Sequence, residues 1–178
     1  MIKIETTDPG VVDAFNRLIA AEEDPSGALM VIGEVLLDFT KKRFELSEDP
    51  YGGAWEQNAD TLLRNLLHGN RKNFTRKGNV SSRGEKVLAG KKPLIGETKD
   101  LSTQFAYTVI GNDLVTLTSL MPYAAMQNFG GTKQEFPHLW GDIPARQFFP
   151  DEARGLPDEL NEKIADVLRT TLQDAWNR

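Results

Sequence analysis

The chain has 178 residues, a formal net charge of −5, 39% hydrophobic and 26% charged residues, and no cysteine. This length can bury the core of one ordinary domain, and the lack of cysteine excludes a disulfide framework and a thiolate metal site. No apolar run approaches the roughly 18 residues of a membrane-spanning helix, and the first residues lack a signal-peptide pattern, so we expect a cytoplasmic protein without a membrane partner.

The N-terminal quarter predicts a strand and two helices. Residues 2–5 alternate between apolar and polar side chains, which indicates a strand. Asp8-Pro9 and Asp24-Pro25 each combine a helix cap with a first-turn proline. We therefore expect one helix after residue 9 and a longer one from Pro25 to about Ser47. The expected core positions are Val11, Phe15, Leu18 and Ile19 in the first helix and Leu29, Ile32, Leu36 and Phe39 in the second.

A turn follows the long helix. In the segment 49–53, Asp-Pro-Tyr-Gly-Gly, the proline presets a negative φ and the glycines tolerate a positive φ. Trp55 is expected to pack over this turn. Farther along, His68 precedes Gly69 and is expected to close a helix.

The window from Gly69 to Lys92 is strongly basic. It holds eight basic residues and one acidic residue, Glu85, for a net charge of +7, so the rest of the chain carries −12. Four glycines and only four bulky apolar residues predict a long loop or mobile arm, and neither a helix nor a strand pair. The candidate electrostatic residues of this arm are Arg71, Lys72, Arg76, Lys77, Arg83, Lys86, Lys91 and Lys92.

Three interpretations of the basic window stay open. Its cations can neutralise DNA phosphates while Phe74 stacks on a base, although the acidic balance of the whole chain opposes duplex binding. They can instead contact an acidic partner or the acidic body of a neighbouring subunit. The third interpretation is a solvated loop that its charge keeps in solution.

A hairpin and a C-terminal helix are the clearest elements of the second half. Residues 103–110 and 114–119 are rich in β-branched and aromatic side chains and flank Gly-Asn-Asp at 111–113, which predicts an antiparallel hairpin. Apolar residues then recur at helical spacing from about Pro157 to Trp176, and this periodicity predicts a core position for Trp176. The helix carries Leu160, Ile164, Val167, Leu168, Leu172 and Trp176 on that face.

These elements predict an α+β fold. A small antiparallel sheet packs with the long helix of the N-terminal half and with the amphipathic C-terminal helix. We expect one domain over residues 1–178, with the basic arm at about 69–92.

The segment from Pro122 to Phe129 predicts a short helix. Pro122 suits its first position, and Gly130-Gly131 suits a left-handed end. Tyr123, Met126 and Phe129 fall three residues apart and therefore share one face. A strand before this helix and a loop after it complete the local pattern.

Pro144 and Pro150 bracket a segment that is expected to be extended. Side chains alternate along extended backbone, so Arg146, Phe148 and Phe149 cannot all share one face. We expect one of the two aromatic rings in the core and the other, together with Arg146, at the surface.

The loop between these two segments contains Phe136-Pro137-His138-Leu139-Trp140. Three bulky apolar residues in one loop either form an interface or fold back onto the sheet. On the first interpretation, Trp140 is an interface candidate.

Catalytic and metal-binding patterns are weak throughout the sequence. His68 and His138 are the only histidines, and neither has the spacing of a two-ligand metal helix or a nucleophile beside it. The segment 130–133, Gly-Gly-Thr-Lys, lacks the spacing of a phosphate-binding loop and follows a helix rather than preceding one. We therefore expect no catalytic residue, no metal and no cofactor.

Three blocks in order resemble the phage virion morphogenesis family, the tail-completion proteins of contractile-tailed phages. The first contains Phe44, Asp49-Pro50, Gly52-Gly53 and Trp55; the second is Pro93-Leu94-Ile95-Gly96-Glu97-Thr98 leading to Leu101; the third joins Tyr123-Ala124-Ala125, Phe129-Gly130-Gly131, Ile143-Pro144-Ala145-Arg146 and Phe148. Together they span roughly residues 25–150. The basic window does not match the pattern of this family, so the resemblance assigns no functional residue within it.

The resemblance implies a non-enzymatic structural protein that completes the tail or joins it to the filled head. It implies a homo-oligomeric ring whose partners are the tail tube, its terminator or head–neck proteins, first in the host cytoplasm and then in the virion. A nucleic-acid-binding accessory protein, acting through the basic window, is the alternative. The candidate assembly interface consists of Tyr123, Phe129, Gly130, Trp140, Arg146 and Phe148.

Overall fold

The structure is a computed structural model that describes residues 13–14, 16–20, 24–58, 60–96 and 98–177. The expected strand at 2–5, the Asp8-Pro9 helix start, Val11 and Phe15 lie outside the described residues. Residues 13–14 and 16–20 are helical and are called α1. Further helices are α2 (Ser26–Leu46), α3 (Asp60–His68), α4 (Ser82–Ala89), α5 (Asp100–Thr103), α6 (Ala124–Phe129) and α7 (Asp158–Asn177).

Two strands, β1 (Phe105–Ile110) and β2 (Leu114–Ser119), pair as an antiparallel hairpin. Gly111 in the connecting turn has a φ of +61°, which glycine adopts without steric cost. The hairpin, the long helix and the C-terminal helix confirm the predicted α+β fold.

The chain divides into two compact units. Unit 1 comprises Met1–Phe39, Phe105–Thr118 and Asp151–Arg178, and unit 2 comprises Thr40–Gln104 and Ser119–Pro150. Helix α2 contributes residues to both units. The expectation of one domain over the whole chain stays a prediction, and the units are described separately.

Helix α2 begins where the sequence predicts. The Asp24 carboxylate accepts a hydrogen bond from the Ser26 N–H at 3.2 Å, and this bond satisfies one of the amides that a helix N-terminus leaves without a helical partner. Ile32 and Phe39 are buried, whereas Leu29 and Leu36 are half-buried. The predicted inward face is therefore confirmed, with incomplete burial at two of its four positions.

In unit 1, α2 meets β1 through a glycine. A Cβ at Gly33 would lie 2.3 Å from a ring carbon of Tyr107, so only glycine lets the ring approach this closely. The Tyr107 hydroxyl donates to the Glu34 carboxylate at 2.8 Å, and this hydrogen bond raises the pKa of Tyr107. Together these contacts fix the hairpin against α2.

Helix α7 is confirmed, but its C-terminal half is less buried than its periodicity predicts. Leu160 is fully buried near the start of the helix, whereas Trp176 is 46% exposed, and Leu168 and Leu172 are also exposed. The prediction that Trp176 lies in the core is wrong. Periodicity identifies the apolar face of a helix, but the extent of tertiary packing decides how much of that face is covered.

The turn at 49–53 of unit 2 is confirmed. One Asp49 carboxylate oxygen accepts from the N–H groups of Tyr51 at 2.7 Å and Gly53 at 2.8 Å, and Gly52 takes a φ of +87°. These bonds place Trp55, which is buried, directly after the turn. His68 is the last residue of α3, as expected, and its ring lies 5.3 Å from that of Phe74.

The basic window is folded. It contains a 3-10 turn at Arg71–Asn73, a β-bridge between Phe74 and Val80, and helix α4. The prediction of a loop or arm without a helix is therefore wrong. Gly84 gives the reason, because its Cβ would lie 2.5 Å from the Asn73 carbonyl oxygen. This glycine permits close packing of α4. Glycine in the basic window was expected to indicate a flexible chain, but at position 84 it allows a tight contact instead.

Candidate assembly surface and its support

The extended segment after Pro144 is held by Arg146. The Arg146 guanidinium donates through Nε to the Glu56 carbonyl oxygen at 2.7 Å and through Nη2 to the Gln57 carbonyl oxygen at 3.1 Å. Its own N–H donates to the Gln127 carbonyl oxygen at 2.9 Å. Burial lowers the pKa of Arg146, and the Glu56 charge raises it in part. Arg146 thus ties together three segments of unit 2.

The expected outward position of Arg146 is wrong, because the residue is only 7% exposed. Alternation along the segment separates faces, but it does not say which face is covered. In this structure the guanidinium donates to the backbone carbonyl oxygens of Glu56 and Gln57, and these hydrogen bonds hold it inward. Arg146 therefore supports the candidate surface rather than forming it.

Phe148 is the aromatic residue of this segment that enters the core, where it is 0% exposed. Its ring centroid lies 5.2 Å from that of Phe44, and Phe44 lies 5.2 Å from Trp55 in an edge-to-face arrangement. The Trp55 indole N–H donates to the Gln147 carbonyl oxygen at 2.8 Å. We call Phe44, Trp55, Arg146 and Phe148 the aromatic clamp. The interface role considered for Phe148 is incompatible with its full burial.

Asn128 is a residue that the sequence analysis missed. It is buried on α6, and its side-chain oxygen accepts from the N–H groups of Phe148 at 2.9 Å and Phe149 at 3.2 Å. It therefore fixes the backbone at Phe148 of the clamp. The sequence does contain a signal for this role. Asn128 lies one turn after Ala124, on the helix face opposite the aromatic residues.

The other face of α6 is exposed. Phe129 is 73% exposed and Tyr123 is also exposed, while Met126 is half-buried. Gly130 ends the helix with a φ of +74°, and a Cβ there would lie 2.8 Å from the Ala145 nitrogen and the Ile143 carbonyl oxygen. The predicted short helix is confirmed, but it begins at Ala124 and not at Pro122. Gly130 ends it with a positive φ but not in the left-handed helical conformation, since its ψ is −174°. The helix displays two aromatic rings.

The loop after α6 displays Trp140, with a relative exposure of 102%. Gly131 and Ile143 close the loop with reciprocal backbone hydrogen bonds of 2.9 and 2.8 Å, and the Lys133 N–H donates to the Asp142 carboxylate at 2.7 Å. The interpretation that the loop folds back requires a buried Trp140, and it is wrong for this residue because the side chain is fully exposed. We call Tyr123, Phe129 and Trp140 the displayed aromatic residues.

A groove of about 640 Å³ lies beside Phe129, along residues 129–132 and 142–145. Its walls include the carboxylates of Glu56, Glu135 and Asp142. The Thr132 hydroxyl and N–H donate to Glu135 at 2.8 and 3.1 Å, and these bonds lower the pKa of Glu135, while Asp142 opposes the shift. In the described part of the chain, no group of three or more His, Cys, Asp or Glu side chains is arranged to hold a metal ion.

The clamp residues, together with Tyr123 and Phe129, come from the first and third blocks of the family resemblance, whereas Trp140 lies in the loop between two parts of the third block. A sequence model of the phage virion morphogenesis family matches residues 7–173 of the 178. The chain belongs to this family. Comparisons with curated proteins and with solved structures found no significant match. Membership indicates a structural role in phage virion morphogenesis and association with the virion.

In this morphogenesis protein, residues from separate blocks of the resemblance lie together in the folded chain. Phe44 and Trp55 come from its first block and Arg146 and Phe148 from its third, and they meet in the clamp of unit 2. In its second block, Pro93 and Leu101 are buried. The buried residues of these blocks therefore form a folded support on which other side chains are displayed.

The basic window of this family member presents its charge to solvent. The exposed cations are Arg71, Lys72, Arg76, Lys77, Arg83, Lys86 and Lys92, while Lys91 is half-buried. Lys92 also donates to the Glu45 carbonyl oxygen at 2.6 Å. Phe74 packs near His68 and is only half-buried. The described residues include no helix that is long and apolar enough to cross a membrane.

Proposed function

We propose that this protein is a non-enzymatic component that completes the phage tail or joins it to the filled head, as a homo-oligomeric ring. The observation that carries the proposal is Trp140, a fully exposed aromatic residue on a loop that backbone hydrogen bonds close at its base. Exposed tryptophan on an ordered loop is the type of side chain that dominates protein–protein binding energy. Family membership supplies the phage context.

The architecture supports assembly in a second way. The aromatic clamp uses buried rings and a buried guanidinium to fix the segment that follows the loop, and the Arg146 N–H ties this segment to α6. A rigid support reduces the entropy lost when displayed side chains are immobilised at an interface. Tyr123, Phe129 and Trp140 are therefore arranged for binding with little rearrangement of the backbone.

Deletion of the gene from the phage or prophage tests the proposal. Electron microscopy of lysates should show filled heads beside unattached tails or tails of abnormal length, and the wild-type protein supplied in trans should restore joined particles. A Trp140→Ser variant should fold normally but fail to rescue, whereas an Ala153→Ser variant should rescue fully. Normal infectious particles from the deletion would overturn the assembly function.

A second candidate is nucleic-acid binding through the basic window. Seven of its eight cations are exposed on a folded segment, which favours contact with phosphates. Salt-sensitive retention on DNA, lost when Arg71, Lys72, Arg76 and Lys77 are replaced by glutamine, would support this candidate. Lack of retention even at low salt would remove it.

A further inference from the structure

A second exposed apolar surface lies in unit 1. Helices α1 and α7 border a groove of about 700 Å³, which is within the range of roughly 300–1,000 Å³ seen for pockets that hold organic groups. Leu18, Ile19, Leu172 and Trp176 provide its apolar lining, and Arg169 provides a cation. Ile19, Leu172 and Trp176 are each about half-exposed. The groove can therefore accept an indole ring, and Arg169, whose guanidinium pairs with Asp166, provides a cation beside it for a cation–π contact.

The two units carry opposite charge. Unit 1 contains 16 acidic and six basic residues, for a net charge of −10, whereas unit 2 contains ten acidic and 15 basic residues, for +5. The groove is on the acidic unit and Trp140 is on the basic unit. Unit 1 of one copy therefore attracts unit 2 of another copy, and such long-range attraction accelerates and orients association.

We propose that Trp140 of one copy inserts into the α1–α7 groove of a second copy. This inference rests on the proposed oligomer and specifies its contact. Trp140 is fully exposed, so its own chain does not bury the ring. Because the ring and the groove belong to different surfaces, the contact is heterologous, and each added copy leaves one tryptophan and one groove for the next. Such contacts close into a ring when the rotation between copies permits it.

The first test uses Trp140→Ser and Leu172→Asp, two changes at exposed positions. Sedimentation should show that each variant alone associates roughly thirtyfold more weakly than wild type, as expected for loss of a central aromatic anchor. An equimolar mixture should form a heterodimer, because the intact Trp140 of one variant meets the intact groove of the other. Circular dichroism should show that both variants remain folded. Leu120→Ser is the matched control, because Leu120 is an exposed apolar residue outside both the groove and the displayed aromatic residues, and this variant should associate as tightly as wild type.

The second test uses the absence of natural cysteine. Gly141 has open space around its Cβ position, and Gln173 lines the groove. Gly141→Cys and Gln173→Cys variants should form a disulfide between copies when mixed, and neither should form one alone. Two results would contradict the heterologous contact. One is a disulfide between two copies of Gly141→Cys, and the other is the absence of any disulfide when the mixed variants are associated.

The outcomes separate this contact from the function on which it rests. Trp140→Ser and Leu172→Asp variants that associate as tightly as wild type would overturn the contact and leave the oligomer intact. A wild-type chain that stays monomeric at millimolar concentration would overturn the contact and the homo-oligomeric ring together. The gene-deletion phenotype then decides the assembly function independently.

Discussion

Two sets of aromatic residues in unit 2 differ in what they do. Phe44, Trp55 and Phe148 are buried in the clamp, whereas Phe129 and Trp140 are displayed. Residue type does not distinguish the two sets, since each contains phenylalanine and tryptophan. The difference teaches that an aromatic residue must be assigned to the buried support or to the exposed surface before the phenotype of its substitution is interpreted.

The backbone around each ring explains the difference. The Asn128 side-chain oxygen accepts hydrogen bonds from the N–H groups of Phe148 and Phe149, and these bonds fix the backbone so that the Phe148 ring points into the core. The bridge between Gly131 and Ile143 instead holds the ends of the loop together, and Trp140 within this loop is fully exposed. Hydrogen bonds over a few residues therefore decide whether an aromatic side chain stabilises the fold or remains available for binding.

The largest expected effect is on the clamp. Phe148→Ala should lower the free energy of unfolding by about 3–5 kcal/mol, because it removes a fully buried ring and leaves a cavity. Phe129→Ala, the matched control, should change stability by about 0.5 kcal/mol or less, since that ring is exposed. Urea denaturation followed by circular dichroism measures both. Equal losses would contradict the division into clamp and displayed residues.

Arg146→Met should have the next largest effect. The methionine keeps an unbranched apolar chain but removes the donors to Glu56 and Gln57, and losing hydrogen bonds to a charged group costs about 1.5–3 kcal/mol. Arg169→Met, at an exposed position, is the control. Chemical denaturation should show a loss in the first variant only. An Arg146→Met protein that keeps wild-type stability but fails in assembly would place Arg146 at the interface.

Gly130→Ala should destabilise unit 2 by about 1–3 kcal/mol. Gly130 has a positive φ, and its added Cβ would approach backbone atoms within 2.8 Å. Gly155→Ala separates the two causes, because Gly155 has a φ of +71° with open space around its Cβ position. Thermal denaturation should show the larger loss for Gly130→Ala. Equal losses would mean that backbone conformation alone, without close packing, requires the glycine.

The smallest expected effect concerns the loop that displays Trp140. Hydrogen bonds from Thr132 lower the pKa of Glu135 in the folded chain, so they favour the ordered loop above the unfolded pKa, and this contribution is lost as pH falls through the folded pKa. Thr132→Val removes the hydroxyl donor and should raise the pKa of Glu135. Carboxyl chemical shifts measured across an acid titration check this, with Thr118→Val as the control. An unchanged pKa would show that the hydroxyl bond contributes nothing.

Local signals predicted the elements well. Asp24-Pro25 predicted the start of α2, the Asp-Pro-Tyr-Gly-Gly segment predicted the turn, and Gly111 with its neighbours predicted the hairpin. The failures have a shared cause. Arg146, Trp176 and the basic window were misjudged because each depends on what packs against it, and residues distant in sequence supply those contacts.

The sequence by itself determined the α+β class, the hairpin, the helices α2, α6 and α7, and the family, because caps, turn residues, periodicity and motif order are local or linear properties. Only the tertiary structure decided that Arg146 and Phe148 are buried while Phe129 and Trp140 are exposed. Burial depends on which distant backbone carbonyls need a donor and which surfaces another segment covers. The sequence therefore identified the segment from Pro122 to Pro150 as the candidate site. The packing of the folded chain decided which of its residues are buried as support and which are exposed at the surface.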